Sequence, residues 1–178
     1  MTDFSNKVVY QIYPKSFRDT NGDGIGDIPG VMEKLDYLQN LGVDYLWLTP
    51  FFASPQRDNG YDVADYRKIN PMFGTMEDVE NLISESKKRG IGLMLDMVFN
   101  HTSTEHEWFQ KALAGDEKYQ NYYIFREGTA DQCPTNWQSK FGGTAWEYVP
   151  ELGKWYLHLF DVTQADLNWD NPEVREEL

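Results

Sequence analysis

The chain has 178 residues, 40% hydrophobic and 15% aromatic, which is enough for one domain with a sizeable core and too apolar for a disordered chain. Its 16 basic residues stand against 29 acidic ones, a net charge of -13, and a field of that sign repels a phosphate backbone, so nucleic acid is excluded as a partner. Cys133 is the only cysteine and can form no internal disulfide, as in a reducing compartment. Met1 to Lys7 carry no basic region followed by an apolar run, and no apolar stretch is long enough to span a membrane. The expectation is a soluble cytoplasmic protein.

Val8 to Tyr13 reads as a first strand, ended by Pro14. Val31, Leu35, Leu38 and Leu41 are spaced for one helix face, and Gly42 stops that helix. Tyr45 to Leu48 is a short apolar run closed by Thr49 and Pro50. Thr75 and Asp78 have the spacing of a capping box, opening a second helix with Val79, Leu82 and Ile83 inward. Lys87, Lys88 and Arg89 suit its last turn, and Gly90 ends it. Gly92 to Phe99 is the third apolar run. Strands alternating with helices predict parallel βα units in an α/β fold, and unbroken apolar strands predict a sheet covered on both faces. From His101 the rhythm breaks into an aromatic, Gly-rich and polar stretch, with one short helix near Trp108 to Ala114. The expected domains are 1–100, a loop-rich insertion over 101–168, and 169–178.

Two patterns carry chemistry. Asp19 to Asp27 places oxygen-bearing side chains at alternate positions with glycines between, the donor logic of a calcium loop. Asp19, Asn21, Asp23 and Asp27 would give side-chain oxygens and Ile25 its carbonyl; the bland alternative is an Asx-rich turn. Asp58, Tyr61 and Asp62 follow the second strand, while Asp96 and His101 stand at the end of the third. Strand ends in a parallel α/β fold are where substrate contacts gather. Taken singly, Asp62 reads equally as a turn residue and His101 as a loop histidine satisfied by backbone. The aromatics Trp108, Phe109, Tyr119, Tyr122, Tyr123, Trp137, Trp146, Trp155 and Tyr156 read as core or as stacking faces for sugar rings, core being the commoner role.

Gln11 to Phe17, the Asp19 to Asp27 loop, Trp47 to Pro50, Asp58 to Asp62, Asp96 to His101 and Gln164 to Asn168 resemble, in order, segments of α-amylase-family α-glucosidases. Ala165 stands where the family usually has Pro. Met97 to Thr104, Ser139 to Gly143 and Trp155 to Phe160 look like the family's trehalose-6-phosphate hydrolases, with oligo-1,6-glucosidases next. The resemblance implies the first three βα units of a (β/α)8 TIM barrel with a subdomain inserted after strand 3. It implies that Asp58 and His101 hydrogen-bond a glucose ring, that Tyr61 stacks beneath it, that Asp96 orients the site, and that Ca2+ is structural. The partner implied is a small carbohydrate. It further implies a retaining mechanism whose two carboxylates, about 5 Å apart, lie on strands beyond Leu178, so no catalytic residue is expected here and the chain alone is expected to be inactive. A non-catalytic sugar-binding module is the rival from another class.

Overall fold

The computed structural model describes residues 4–178. Met1, Thr2 and Asp3, part of the stretch read for a leader, lie outside the described residues. The chain forms two compact units: one joins the chain up to Ala53 with Tyr66–Met97, the other joins Ser54–Asp65 with Val98–Leu178.

In the first unit Val9–Ile12 (β1) runs into Pro14–Phe17 (α1), with Pro14 in the first turn, where no amide N–H is needed. Two helices follow, Ile28–Glu33 (α2) and Leu35–Asn40 (α3), then Tyr45–Leu48 (β2). The single helix expected from the spacing is thus two, because Lys34 leaves helical geometry at φ -100 and ψ 4. Val31, Leu35 and Leu38 are buried as expected, but Leu41 sits at the helix end and is 53% exposed. Phe52–Ala53 (β3) pairs with Asp65–Ile69 (β4), a ribbon the sequence did not signal because β3 has only two residues.

Met76–Lys88 (α4) opens with the expected capping box: Thr75 Oγ1 accepts from Asp78 N at 3.1 Å, and Asp78 Oδ2 accepts from Thr75 N at 2.7 Å. Val79 and Leu82 face the core, whereas Ile83 is 49% exposed. Val79, Leu82 and Ser86, at spacings of three and four, form the buried stripe, and Ile83 falls at its edge. Arg89 caps the helix and pairs with Asp36 at 2.6 Å and Glu85 at 2.9 Å.

Gly92–Leu95 (β5) completes a parallel sheet of order β1-β2-β5, in register Tyr10↔Leu46↔Leu93. The strand stops at Leu95, short of the expected Phe99. One sheet face is packed: Ile12, Leu46 and Leu48 meet Val31, Leu35, Leu38 and Leu82 in a single cluster. The other is less covered than the apolar runs suggested, with Val9 41% exposed and Tyr45, Trp47 and Met94 half-buried. A four-residue apolar run cannot distinguish one buried face from two.

The second unit is more ordered than a loop-rich insertion. His101–Ser103 (β6) leads to Glu107–Leu113 (α5), which is the expected short helix, and then to Glu117–Gln120 (α6). Phe125–Glu127 (β7), Trp146–Val149 (β8) and Lys154–Leu157 (β9) form an antiparallel sheet of order β7-β9-β8. Gln164–Asp166 (β10) returns to pair antiparallel with β6, and Pro172–Glu177 (α7) follows. Strands of three and four residues hold too few periods to register as a pattern. The core here is aromatic: Phe109 meets Tyr123 and Tyr156 edge-on, each at 5.0 Å. The core role therefore holds for Phe109, Tyr122, Tyr123, Trp146, Trp155 and Tyr156, all buried, while Trp137 is 54% exposed. Among the described residues no helix is long and apolar enough to cross a membrane.

Candidate functional site

The segment 54–62 is wound around one carboxylate. Asp62 is fully buried; its Oδ1 accepts from Ser54 Oγ and Asp58 N, each at 3.0 Å, and its Oδ2 accepts from Arg57 N at 2.9 Å. Ser54 Oγ in turn accepts from Gln56 N at 2.9 Å. A buried carboxylate is tolerated where donors replace water, and here three do. The loop pays for this closure in backbone geometry, since Gln56 and Asn59 sit at φ 63 and φ 50. The turn role read for Asp62 is thus correct, and it is what aims the neighbouring Asp58.

Asp58 is half-buried, and its Oδ2 accepts from Gln164 Nε2 at 2.9 Å, a bond between residues far apart in sequence. The β6–β10 pairing sets Gln164 opposite Ser103 and Asp166 opposite His101. His101 is buried, with Nε2 at 3.0 Å from the Tyr61 carbonyl and Nδ1 at 3.1 Å from Asn100 Nδ2. A carbonyl only accepts, so Nε2 carries the proton and Nδ1 accepts from the Asn100 amide, a tautomer assigned from its partners. Burial lowers the His101 pKa, opposed by the Tyr61 carbonyl and by the charges of Asp58 and Asp62, so the ring is neutral at pH 7. Phe160 packs against it with ring centroids 5.2 Å apart.

The second unit therefore brings together Asp58, Tyr61 and His101. Asp58 keeps Oδ1 without a partner among the described residues, and a free carboxylate oxygen beside a neutral imidazole suits the hydroxyls of a polyol. Both His101 ring nitrogens are engaged, as the backbone-satisfied reading had it. Asp96 belongs to the first unit, where it is half-buried and accepts from Trp47 Nε1 at 3.2 Å.

Three contributors were not singled out in the sequence. Gln164 fixes Asp58, and Gln56 shares the strained loop. Asp166 is buried, accepts from Leu159 N at 3.0 Å, and has its pKa pushed up to about 6 by burial, against hydrogen bonds from Leu159 and Asn100 and the charge of His158. The signal for Gln164 and Asp166 was their place in the block Gln164 to Asn168; nothing in the sequence said which residue they meet.

The oxygen-rich loop lies in the first unit. Asp19 Oδ1 accepts from Asn21 N and Gly22 N, and its Oδ2 from Gly24 N at 2.8 Å; these bonds hold the Asp19 pKa below the usual carboxylate range. Asn21 Oδ1 accepts from Asp23 N, and Asp23 Oδ1 from Ile25 N. Asp27 is buried, caps α2 by accepting from Gly30 N at 2.7 Å, and takes Thr20 N and Oγ1 on its other oxygen. The glycines are steric: a Cβ on Gly26 would lie 2.1 Å from the Pro14 carbonyl oxygen, and one on Gly30 2.0 Å from that of Arg18. The turn geometry of the Asx reading is therefore present. Among the described residues no three His, Cys, Asp or Glu side chains are grouped to hold a metal. The chemistry still fits a hard cation: the donors are carboxylate, amide and carbonyl oxygens, and Asp19 Oδ2, Asn21 Oδ1, Asp23 Oδ1 and Asp27 Oδ1 each accept a single N–H and keep a second lone pair.

Residues 11–178 match the model for the alpha-amylase catalytic domain. The chain belongs to this family. It is 57% identical over 175 residues to trehalose-6-phosphate hydrolase of Escherichia coli (strain K12) and 58% over 173 residues to that of Bacillus subtilis (strain 168). Oligo-1,6-glucosidase of Parageobacillus thermoglucosidasius is 56% identical over 172 residues. These alignments cover 98%, 96% and 96% of this alpha-amylase-family chain but 32%, 31% and 31% of the relatives, so it spans about a third of their length. Among solved structures, trehalose-6-phosphate hydrolase of Bacillus licheniformis superposes with a TM-score of 0.92 at 57% identity, over 96% of this chain and 31% of that one. A mutant of MutB in complex with the substrate sucrose gives 0.93 at 54% identity, over the same shares.

Proposed function

We propose that this chain supplies the sugar-holding part of a retaining α-glucosidase that hydrolyses trehalose 6-phosphate to glucose and glucose 6-phosphate. The observation that carries the reading is the joining of Asp58 and His101, 43 positions apart by their numbers, through Gln164 on β10 and the Tyr61 carbonyl. Asp58 accepts hydroxyl protons, the neutral His101 imidazole sets the polar wall beside it, and Tyr61 offers its ring to the sugar face. Asp96, which accepts from Trp47 Nε1 in the first unit, is the remaining residue that the family resemblance assigns to the sugar site. The three parallel strands are the opening βα units of a (β/α)8 barrel, with the subdomain inserted after the third. A retaining mechanism needs a nucleophile and a general acid about 5 Å apart, and neither role falls to a residue described above. Ca2+ held by Asp19, Asn21, Asp23, the Ile25 carbonyl and Asp27 would neutralise the loop and tie β1 to α2.

The identity to two trehalose-6-phosphate hydrolases supports this substrate, and the 56% identity to an oligo-1,6-glucosidase keeps isomaltose as the second reading. The test is a chimera in which these residues replace the matching segment of the Bacillus subtilis hydrolase, assayed on both sugars. Turnover of trehalose 6-phosphate, lost in Asp58→Ala, is the expected result. A chimera that cleaves isomaltose in preference moves the assignment to the second reading, and one that folds but cleaves neither removes the sugar-holding role.

A further inference from the structure

Gln56 shares a positive φ with Asn59 in the Ser54–Asp62 loop but carries a second unfavourable feature as well. It is not a glycine, yet its backbone lies at φ 63, in the left-handed region that costs a side chain with a Cβ. Its main-chain N–H is satisfied by Ser54 Oγ at 2.9 Å. Its side-chain amide is not: both Nε2 and Oε1 are shielded from solvent and neither has a hydrogen-bond partner. A donor and an acceptor are thus withdrawn from water with nothing in exchange, on a residue whose backbone is already strained. Either feature alone destabilises the fold, and a Gly at this position would remove both. Strain and unmet polar groups that coincide in this way mark places where a ligand completes the structure.

The position says which ligand. Gln56 is two residues from Asp58 and hangs from the same Ser54–Asp62 scaffold that aims Asp58 N, through Ser54 Oγ to Asp62 Oδ1 at 3.0 Å. A primary amide offers a donor pair and an acceptor side by side, which matches a hydroxyl or a vicinal pair of hydroxyls. We propose that Gln56 is a sugar-contacting residue whose amide hydrogen-bonds hydroxyls of the ring held by Asp58, and that the loop keeps its strained backbone for this contact. The inference rests on the sugar-holding reading given above. In the sugar-bound form both amide atoms gain partners, so binding relieves the unmet pair and tightens the loop.

The test uses the 178-residue chain labelled with nitrogen-15 and titrated with glucose, following the Gln56 side-chain NH2 signals and those of Asp58 and His101. Gln56→Gly suits the positive φ and deletes the amide; Gln56→Asn tolerates the same φ and keeps a shorter amide, so it serves should the glycine variant not fold. The expected result is that glucose shifts the Gln56 NH2 pair. Gln56→Gly should then weaken glucose binding at least about fivefold, the effect of losing one or two hydrogen bonds, while its melting midpoint rises by about 2–4 °C. Asn should fall between. A purely structural glutamine would do the reverse, lowering the midpoint on replacement and leaving affinity alone. If glucose moves the Asp58 and His101 signals while the Gln56 pair stays still and Gln56→Gly binds equally well, the role of Gln56 is overturned and the sugar site stands. If glucose moves none of them, both fall.

Discussion

Replacing Asp166 with asparagine separates two titrations that oppose each other in the second unit. Burial pushes the Asp166 carboxyl from 3.8 to about 6, so the folded chain holds a proton there that the unfolded chain has lost. The stability this group contributes is complete below pH 3.8 and disappears as pH rises through 6. About two pKa steps of 1.36 kcal/mol each make the loss ~3 kcal/mol. His106 works the other way. Burial lowers its pKa from 6.5 to about 4, and its neutral Nδ1 caps α5 by accepting from Trp108 N at 3.1 Å. Its contribution is complete above pH 6.5 and is lost as pH falls through 4, again by ~3 kcal/mol. The two slopes nearly cancel between pH 4 and 6.5. Asn at 166 retains an oxygen for Leu159 N and removes the charge, so only the histidine slope remains. Urea unfolding of both chains at half-unit steps from pH 4 to 8 measures this. Asp166→Asn should match the parent near pH 4 and exceed it by ~3 kcal/mol at pH 7. A difference between the two that stays constant across that range would refute the argument, because it would mean that Asp166 is not protonated by burial.

Asp62→Ala strips the acceptor from Ser54 Oγ, Arg57 N and Asp58 N together. At ~1–3 kcal/mol for each stranded donor that stays dry, the loss should be ~3 kcal/mol or more by calorimetry, and Asp58 should lose its aim. The oxygen-rich loop should bind Tb3+ with sensitised emission, and Ca2+ should raise the melting midpoint; Asp23→Ala should abolish both, and an unchanged midpoint with Ca2+ would dismiss the metal. Leu82→Ala should cost ~2–5 kcal/mol because its side chain is wholly enclosed. Ile83→Ala, at a half-exposed neighbour, should cost under about 1 kcal/mol, and equal losses at the two sites would show that the packing of α4 is misassigned.

The α/β order, the positions of β1, β2 and α4, the capping box at Thr75 and the segments that bear the site were legible in the sequence. They rest on local rules: apolar spacing, helix-stop glycines and short blocks of chemistry act over fewer than about a dozen neighbours. Leu41 and Ile83 were misplaced because spacing gives a helix face but not its width, and the edge of that face is set by what packs against it. The break at Lys34 and the three-stranded sheet of β7, β9 and β8 left no trace, since segments of three to six residues are decided by partners rather than by their own periodicity. The residue types of the site were likewise visible, and Asp58, Tyr61 and His101 could be named. Only the tertiary structure decided that β10 returns beside β6, which brings Gln164 to Asp58 and sets Asp166 opposite His101. The burial that raises one carboxyl, neutralises one imidazole and leaves the Gln56 amide without a partner belongs to that arrangement, because the electrostatic cost of a buried group depends on everything around it in space and on little beside it in the chain.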